Sequence, residues 1–315
     1  MVIKDKLINY FGKNIKSLLN NIDYEYFENA EEIRIRLDRC IVFKTFDKEY
    51  FLLKNMSMSE IFSQDISYKP TAEDIAQTIE TMSDYSIYAL EQELKNGFIT
   101  LKGGFRVGIA GKVIIENNKI KTIRNISSIN IRIAREIKGC SNHILKYIIN
   151  PNVKSTMIIS PPNCGKTTLL RDIIKNISNY KENVGLIDER SEIASTYMGK
   201  MQLDVGIRTD VLDRCTKSEG MLMLLRSMAP TVIAVDEIGS DEDISAIEKI
   251  ANSGVKIICT IHSYSIEDIK KKCNMKNILN NKIFERYIVL NRKNKICNIE
   301  KIYDENTKII YDGVS

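Results

Sequence analysis

At 315 residues, 43% hydrophobic and 28% charged, the chain has enough apolar material for two ordinary buried cores, which excludes a disordered or fibrous class. A net charge of +5, spread along the chain, permits anionic partners without arguing for them. No apolar run approaches the roughly 18 residues of a membrane span, and residues 1–16 lack a signal-peptide core, so a cytoplasmic protein without direct membrane insertion is expected.

An α+β domain is expected over residues 1–138. It opens with Leu7, Ile8, Phe11, Ile15, Leu18 and Leu19 at helical spacing. In "EEIRIRLDRCIVF", Ile33, Ile35 and Leu37 alternate with Arg34, Arg36 and Asp38, as in a half-buried strand; "KEYFLLK" reads as another. Residues 71–97 form an amphipathic helical region, with Thr71 as N-cap, Asp74 three residues on and Gly97 as the stop. Several short strands follow, turning at Gly103-Gly104 and Asn117-Asn118. "IRIRLDR" and "GGFRVGIAG" suit a ring contact or docking face, but as strands they require no function.

Residues 139–150 read as a short helix, a turn and a linker. From 151 to 315 the pattern changes. The apolar runs "TMIIS", "NVGLID", "TVIAVD" and "VKIICTIH" alternate with helical segments, the signature of a parallel sheet covered by helices. The end reads as a hairpin turning at residues 291–295.

The first of these strands runs into "SPPNCGKTTLL" and a helix, the context of a phosphate loop of Walker A type. Ser160, Pro161, Pro162, Asn163, Cys164, Gly165, Lys166, Thr167 and Thr168 would surround the phosphates of ATP at a helix N-terminus. Lys166 would neutralise the β- and γ-phosphates, and Thr167 would offer its hydroxyl to Mg²⁺. Ser160 stands where glycine usually opens such a loop, and Asn163 occupies a second frequent glycine position. Asparagine tolerates a left-handed backbone better than most residues.

The next strand ends in Asp188, Glu189 and Arg190. "TVIAVDEIG" ends in Asp236 and Glu237, a Walker B pair. Asp236 would orient the Mg²⁺ shell, partly through water, and Glu237 would polarise the attacking water. "DE" alone reads more readily as a solvated acidic turn; the upstream loop decides for the nucleotide site. "VKIICTIH" ends in His262, within reach of the γ-phosphate region. Arg208 and Arg226 are candidate charge stabilisers in cis or in trans, or partners of Asp210, Asp213 or Glu219. "IKKKC" at 269–273 reads as a solvated helix face.

The seven cysteines, without a CxxC pair, fit reduced and buried thiols. Cys140 with His143, and Cys259 with His262, share a CxxH spacing that would suit zinc. The halves are far apart in the chain and His262 has the use just described, so small core residues are the preferred reading.

Loop, acidic strand, "DE" strand and histidine strand, in this order, resemble the secretion-ATPase superfamily of RecA-like motors. "SSINIRIAREIKGC", "LIDERSEIA" and "VGIRTDVLDRCTKSEGMLMLLRSMAP" look more closely like the blocks of its stage III sporulation AA family, and the resemblance covers roughly residues 30–270. It implies a RecA-like P-loop NTPase core behind a smaller α+β domain. It also implies a cytoplasmic, hexameric ATPase on the mother-cell side of the forespore, acting with membrane channel proteins of a secretion-like complex. Under it, Lys166 and Thr167 match the phosphate loop, Asp188 or Glu189 the acidic box, Glu237 the catalytic glutamate and His262 the histidine box. Two rivals stand beside this reading. One is a nucleotide-binding scaffold with little hydrolysis. The other is a nucleic-acid motor, against which the absence of an aromatic–basic strand-binding pattern speaks, so no nucleic-acid partner is expected.

Overall fold

The computed structural model describes residues 3–83, 94, 97–133, 136–291 and 296–313. They fall into two compact units, 1–134 and 135–315.

In the first unit the opening helical pattern is interrupted. Helix α1 (Ile3–Leu7) passes through a 3₁₀ turn into α2 (Lys13–Leu19). The break falls at Gly12, where a Cβ would stand 2.8 Å from that of Gln77, so only glycine admits this approach. Leu7, Phe11, Ile15 and Leu19 nevertheless all enter the core, at most 2% exposed. Helix α3 (Tyr24–Asn29) follows. The stretch expected as one strand over 31–43 is two, β1 (Glu32–Arg36) and β2 (Val42–Lys44), paired antiparallel. The chain reverses between them where Asp38 adopts φ 55°, a conformation aspartate reaches more easily than most residues.

Then come β3 (Glu49–Leu52), β4 (Met58–Ser59), α4 (Ala72–Met82), β5 (Phe98–Leu101), β6 (Phe105–Glu116) and β7 (Lys119–Ile133). The remainder of the helical region expected up to Gly97 lies largely outside the described residues. The seven strands form one antiparallel sheet in the order β4-β3-β2-β1-β7-β6-β5. Asn117 and Asn118 take φ of 52° and 57°, as a two-residue hairpin loop demands.

Helix α4 starts as its sequence predicts. The Thr71 hydroxyl accepts from the Asp74 N–H, and Asp74 Oδ2 accepts from the Thr71 N–H at 2.9 Å. The same carboxylate accepts from the Tyr68 hydroxyl at 2.7 Å and from Asn14 at 2.9 Å. Burial opposes its charge, but the Thr71, Tyr68 and Asn14 hydrogen bonds prevail and hold its pKa below the ordinary value. A depressed carboxylate stabilises the fold above its unfolded pKa and loses that contribution as pH falls through the folded one. Asp74→Ala is therefore expected to destabilise this unit by about 1–3 kcal/mol at pH 7, and the gap to wild type should narrow below roughly pH 4. Urea melts at the two pH values measure it; a pH-independent gap would refute the charge argument.

The second unit begins with residues that the sequence presents as a linker. Gly139 and Ser141 donate their N–H groups to Asp172 at 2.9 and 2.8 Å, and a short helix α5 (Leu145–Ile148) follows. The elements are then β8 (Thr156–Ser160), α6 (Lys166–Asn179), β9 (Val184–Asp188), β10 (Thr209–Asp213), α7 (Lys217–Ser227), β11 (Val232–Val235) and α8 (Asp241–Asn252). After them come β12 (Lys256–His262), α9 (Ile266–Lys271), α10 (Lys276–Asn280), β13 (Arg286–Asn291), β14 (Asn298–Asp304) and β15 (Ile309–Asp312).

Their sheet runs β10-β9-β11-β12-β8-β13-β14-β15. The first six strands are parallel neighbours, and β14 and β15 close it antiparallel. The turn expected between β13 and β14 falls mostly on residues outside those described. Strands β8, β9 and β11 are buried at every position, which is why they read as unbroken apolar runs. One face carries the core of Ile158, Leu170, Ile174 and Ala234 under α6; the other carries Ile159, Val235, Cys259 and Ile247 under α7 and α8. Cys140 packs on the first face and Cys259 on the second, so the two CxxH pairs cannot share an ion. Among the described residues, no helix is long and apolar enough to cross a membrane.

Candidate functional site

Parallel strands bring all their C-terminal ends to one edge of the sheet, and ligands of open α/β sheets bind at that edge. Here four neighbours, β9-β11-β12-β8, deliver Asp188, Asp236 with Glu237, His262 and the phosphate loop. His262 pairs in register with Ser160, so the histidine stands beside the start of the loop.

Ser160 is the last residue of β8 and fully buried in it, so the position usually held by glycine is ordinary strand here. The left-handed positions are Asn163 (φ 61°) and Gly165 (φ 89°). Gly165 caps α6 and has no side chain with which to satisfy the first-turn N–H groups, which are left for an anion. It is also hemmed in: a Cβ there would stand 2.8 Å from Cys297 Sγ and 3.0 Å from the Cys297 nitrogen. Cys297 braces the loop, donating its N–H to the Cys164 carbonyl at 3.0 Å and lying with Sγ 3.3 Å from the Gly165 carbonyl.

Lys166 is 8% exposed and reaches across the loop, with Nζ 2.7 Å from Glu237 Oε1 and 3.0 Å from His262 Nε2. The same imidazole nitrogen is 3.1 Å from Glu237 Oε1, so it either accepts from the ammonium or donates to the carboxylate, never both at once. Arg190 donates to Glu237 Oε2 at 2.7 Å. Burial works against the charge of Glu237, but Lys166, then Arg190 and His262, outweigh it and hold the carboxyl at about 2. Glu237 also takes φ 55°, a strained setting for a non-glycine residue and one that functional sites tend to retain.

Thr167 donates its hydroxyl to Asp236 Oδ2 at 2.6 Å. A hydroxyl and a carboxylate held together at a helix N-terminus are the hard oxygen donors that Mg²⁺ prefers, so the residues present fit this ion. Thr260, fully buried on β12, ties the two acids together: its hydroxyl accepts from the Glu237 N–H at 2.8 Å and donates to Asp236 Oδ1. Sequence reasoning passed over it, although it lies two residues before His262 and therefore on the same face of the strand.

The acidic end of β9 is arranged differently from Asp236-Glu237. Asp188 is 2% exposed and accepts from the N–H groups of Glu192, Ile193 and Ala194 at 2.8, 3.0 and 2.8 Å. Burial raises its pKa against the pull of those three donors. Glu189 pairs with Lys217 at 2.9 Å. From this turn Arg190 reaches Glu237, a role that its place beside two acids did not announce. The site opens onto a cleft of about 480 Å³ lined by Glu189, Lys217, Glu237 and Ser240, at the starts of α7 and α8.

Arg208 and Arg226 are not brought to this edge. Arg208 immediately precedes β10, where its carbonyl accepts from the N–H of Val184, the first residue of β9, and its guanidinium donates to the Ser178 carbonyl near the end of α6. Arg226 is exposed in the last turn of α7, which leads back toward the start of β11. Within their own chain both lie at the N-terminal edge of the sheet, opposite Lys166.

A family model described as "Sporulation stage III, protein AA" matches residues 1–310. Stage III sporulation protein AA of Bacillus subtilis (strain 168) is 39% identical over 303 residues, spanning 95% of this chain and 94% of that protein. Among solved structures, the ATPase DotB of Yersinia pseudotuberculosis is similar with a TM-score of 0.60 at 15% identity, over 94% of this chain and 81% of that one. The pilus retraction motor PilT with bound ADP is similar with a TM-score of 0.56 at 16% identity, over 84% and 75%. At these identities the structural likeness is one of fold, the RecA-like fold of secretion ATPases. The chain belongs to the sporulation stage III, protein AA family.

Proposed function

We propose that this protein binds ATP with Mg²⁺ and hydrolyses it as a homo-oligomeric, hexameric motor. In this reading it is cytoplasmic and reaches the membrane through partners, on the mother-cell side of a forespore. There it powers a secretion-like channel complex. The observation that carries the reading is the convergence of Lys166, Thr167, Asp236, Glu237 and His262 at one strand edge. The ADP in the PilT structure and the ATPase named in DotB support it, and the name of the Bacillus subtilis relative supports the sporulation setting.

The chemistry follows from the contacts. The first-turn N–H groups of α6 and Lys166 receive the phosphates, and Lys166 must leave Glu237 to do so. Mg²⁺, held at Thr167 and Asp236 when bound, would neutralise phosphate charge. Losing the Lys166 ammonium, the cation that lowers its pKa most, makes Glu237 a better acceptor at the moment a water must be aligned. The oxygen of that water bonds to the γ-phosphorus while the bond to the bridging oxygen breaks. ADP leaves with the electron pair, and the proton of the water passes to the Glu237 carboxylate. Arg208 and Arg226, at the far edge of the sheet, would serve the nucleotide of a neighbouring copy.

The scaffold reading draws on the same cluster, because Glu237 is tied down by Lys166 and Arg190. Steady-state ATP turnover by assembled protein separates the two. Hydrolysis predicts measurable turnover that Glu237→Gln lowers by about 10²-fold or more with nucleotide still bound. A scaffold predicts binding with equally negligible turnover in both.

A further inference from the structure

We propose that Arg190 is the positioning residue that holds Glu237 in place during hydrolysis, and that the turn after β9 is built to aim it. The inference rests on the ATPase reading of the site. In the structure Glu237 is held through both oxygens: Lys166 and His262 meet Oε1, and Arg190 meets Oε2. Lys166 cannot stay on Oε1 and also neutralise the phosphates. Once it transfers, the carboxylate loses its shortest contact on that oxygen. The bond from Arg190 is on the other oxygen and can persist through the transfer, leaving Oε1 turned toward the loop and the water.

The construction of the turn agrees with this division of labour. Residues 189–194 are clamped from two sides. Asp188 gathers the N–H groups of Glu192, Ile193 and Ala194. Arg171, buried on α6, donates to the carbonyls of Glu192 and Ile193 at 2.7 and 2.6 Å. Ser191 is bent to φ 54°, its N–H returning to the Asp188 carbonyl at 3.1 Å. Two buried charged residues thus shape a six-residue turn that brings the Arg190 guanidinium to Glu237. Asp188, 2% exposed, already accepts from three backbone donors of the turn. The Arg190 side chain is 56% exposed, so an ion pair made only for stability would contribute little here. Such a pair would not need a turn clamped in this way.

The test uses the assembled full-length protein and compares wild type, Arg190→Ala, Arg190→Lys and Glu237→Gln. Arg190→Ala is expected to bind a fluorescent ATP analogue within about threefold of wild type while kcat falls about 10- to 100-fold. Arg190→Lys should recover part of the loss, since a cation of shorter reach still meets Oε2. Added guanidinium ion should restore part of the turnover of Arg190→Ala, because the vacated place opens to solvent. The inference is overturned by an unchanged kcat in Arg190→Ala, or by equal losses of affinity and kcat in both Arg190 variants. If Glu237→Gln lowers turnover and Arg190→Ala leaves it unchanged, this inference alone fails; if Glu237→Gln has no effect, the ATPase reading fails with it.

Discussion

Lys166→Ala is expected to lower kcat/KM for ATP by about 10³-fold or more, roughly 4 kcal/mol. Two losses add. Ground-state binding loses a charge-assisted contact to the phosphates, worth about 1.5–3 kcal/mol. The transition state loses a preorganised cation where negative charge is redistributed, worth about 2.7–4 kcal/mol in comparable sites. The variant also alters the empty site. With the ammonium gone, Glu237 keeps Arg190 and His262, and its pKa rises from its depressed value. Nucleotide titration and steady-state kinetics on the same preparation check both parts. Wild-type affinity in the alanine variant would mean that the phosphates do not lie against Lys166.

Gly165→Ala is expected to destroy nucleotide binding and to destabilise the second unit. At φ 89° a side chain costs about 1–2 kcal/mol from the backbone alone. The new methyl would also collide with the Ile296 side chain and stand 2.8 Å from Cys297 Sγ, overpacking that costs about a further 1–3 kcal/mol. For a unit of this size each kcal/mol lowers the melting temperature by about 2–4 °C, so a drop of roughly 4–20 °C should appear in a thermal melt. The loop can relieve the clash only by moving off Cys297, which swings Lys166 away from Glu237. An alanine variant that melts and binds ATP like wild type would show that the brace is dispensable.

Most of the second unit was legible because its physics is repetitive. Strands buried on both faces must be apolar throughout, and the polar residues that end them must meet at one edge, so Lys166, Thr167, Asp236, Glu237 and His262 could be read as a group. Arg190 was hidden because Asp188, Glu189 and Arg190 look alike as a charged strand end. Only the capture of three amides by Asp188 decides which of them faces the site. Thr260 looks like a core residue because it is one, and its two hydrogen bonds depend on the register of β12 against β11. Arg208 precedes its strand and Arg226 ends its helix, and both positions emerge at the opposite edge of a parallel sheet. Ser160 departs from the usual glycine in its letter alone, since its backbone is plain strand. In the first unit, Gly12 and Asp38 broke elements that periodicity had joined, since close approach and φ leave no trace in a hydrophobic pattern.

The brace on the phosphate loop has a consequence for how the protein is made. Cys297 meets Gly165 across 132 positions of chain. At about 5–20 residues per second, the ribosome needs roughly 7–26 seconds to supply it after the loop has been made. During that interval the growing chain already contains the loop, and soon Asp236, Glu237 and His262, without the contacts that Cys297 makes to Cys164 and Gly165. A chain cut short before β14 would carry each recognisable motif and still lack this brace.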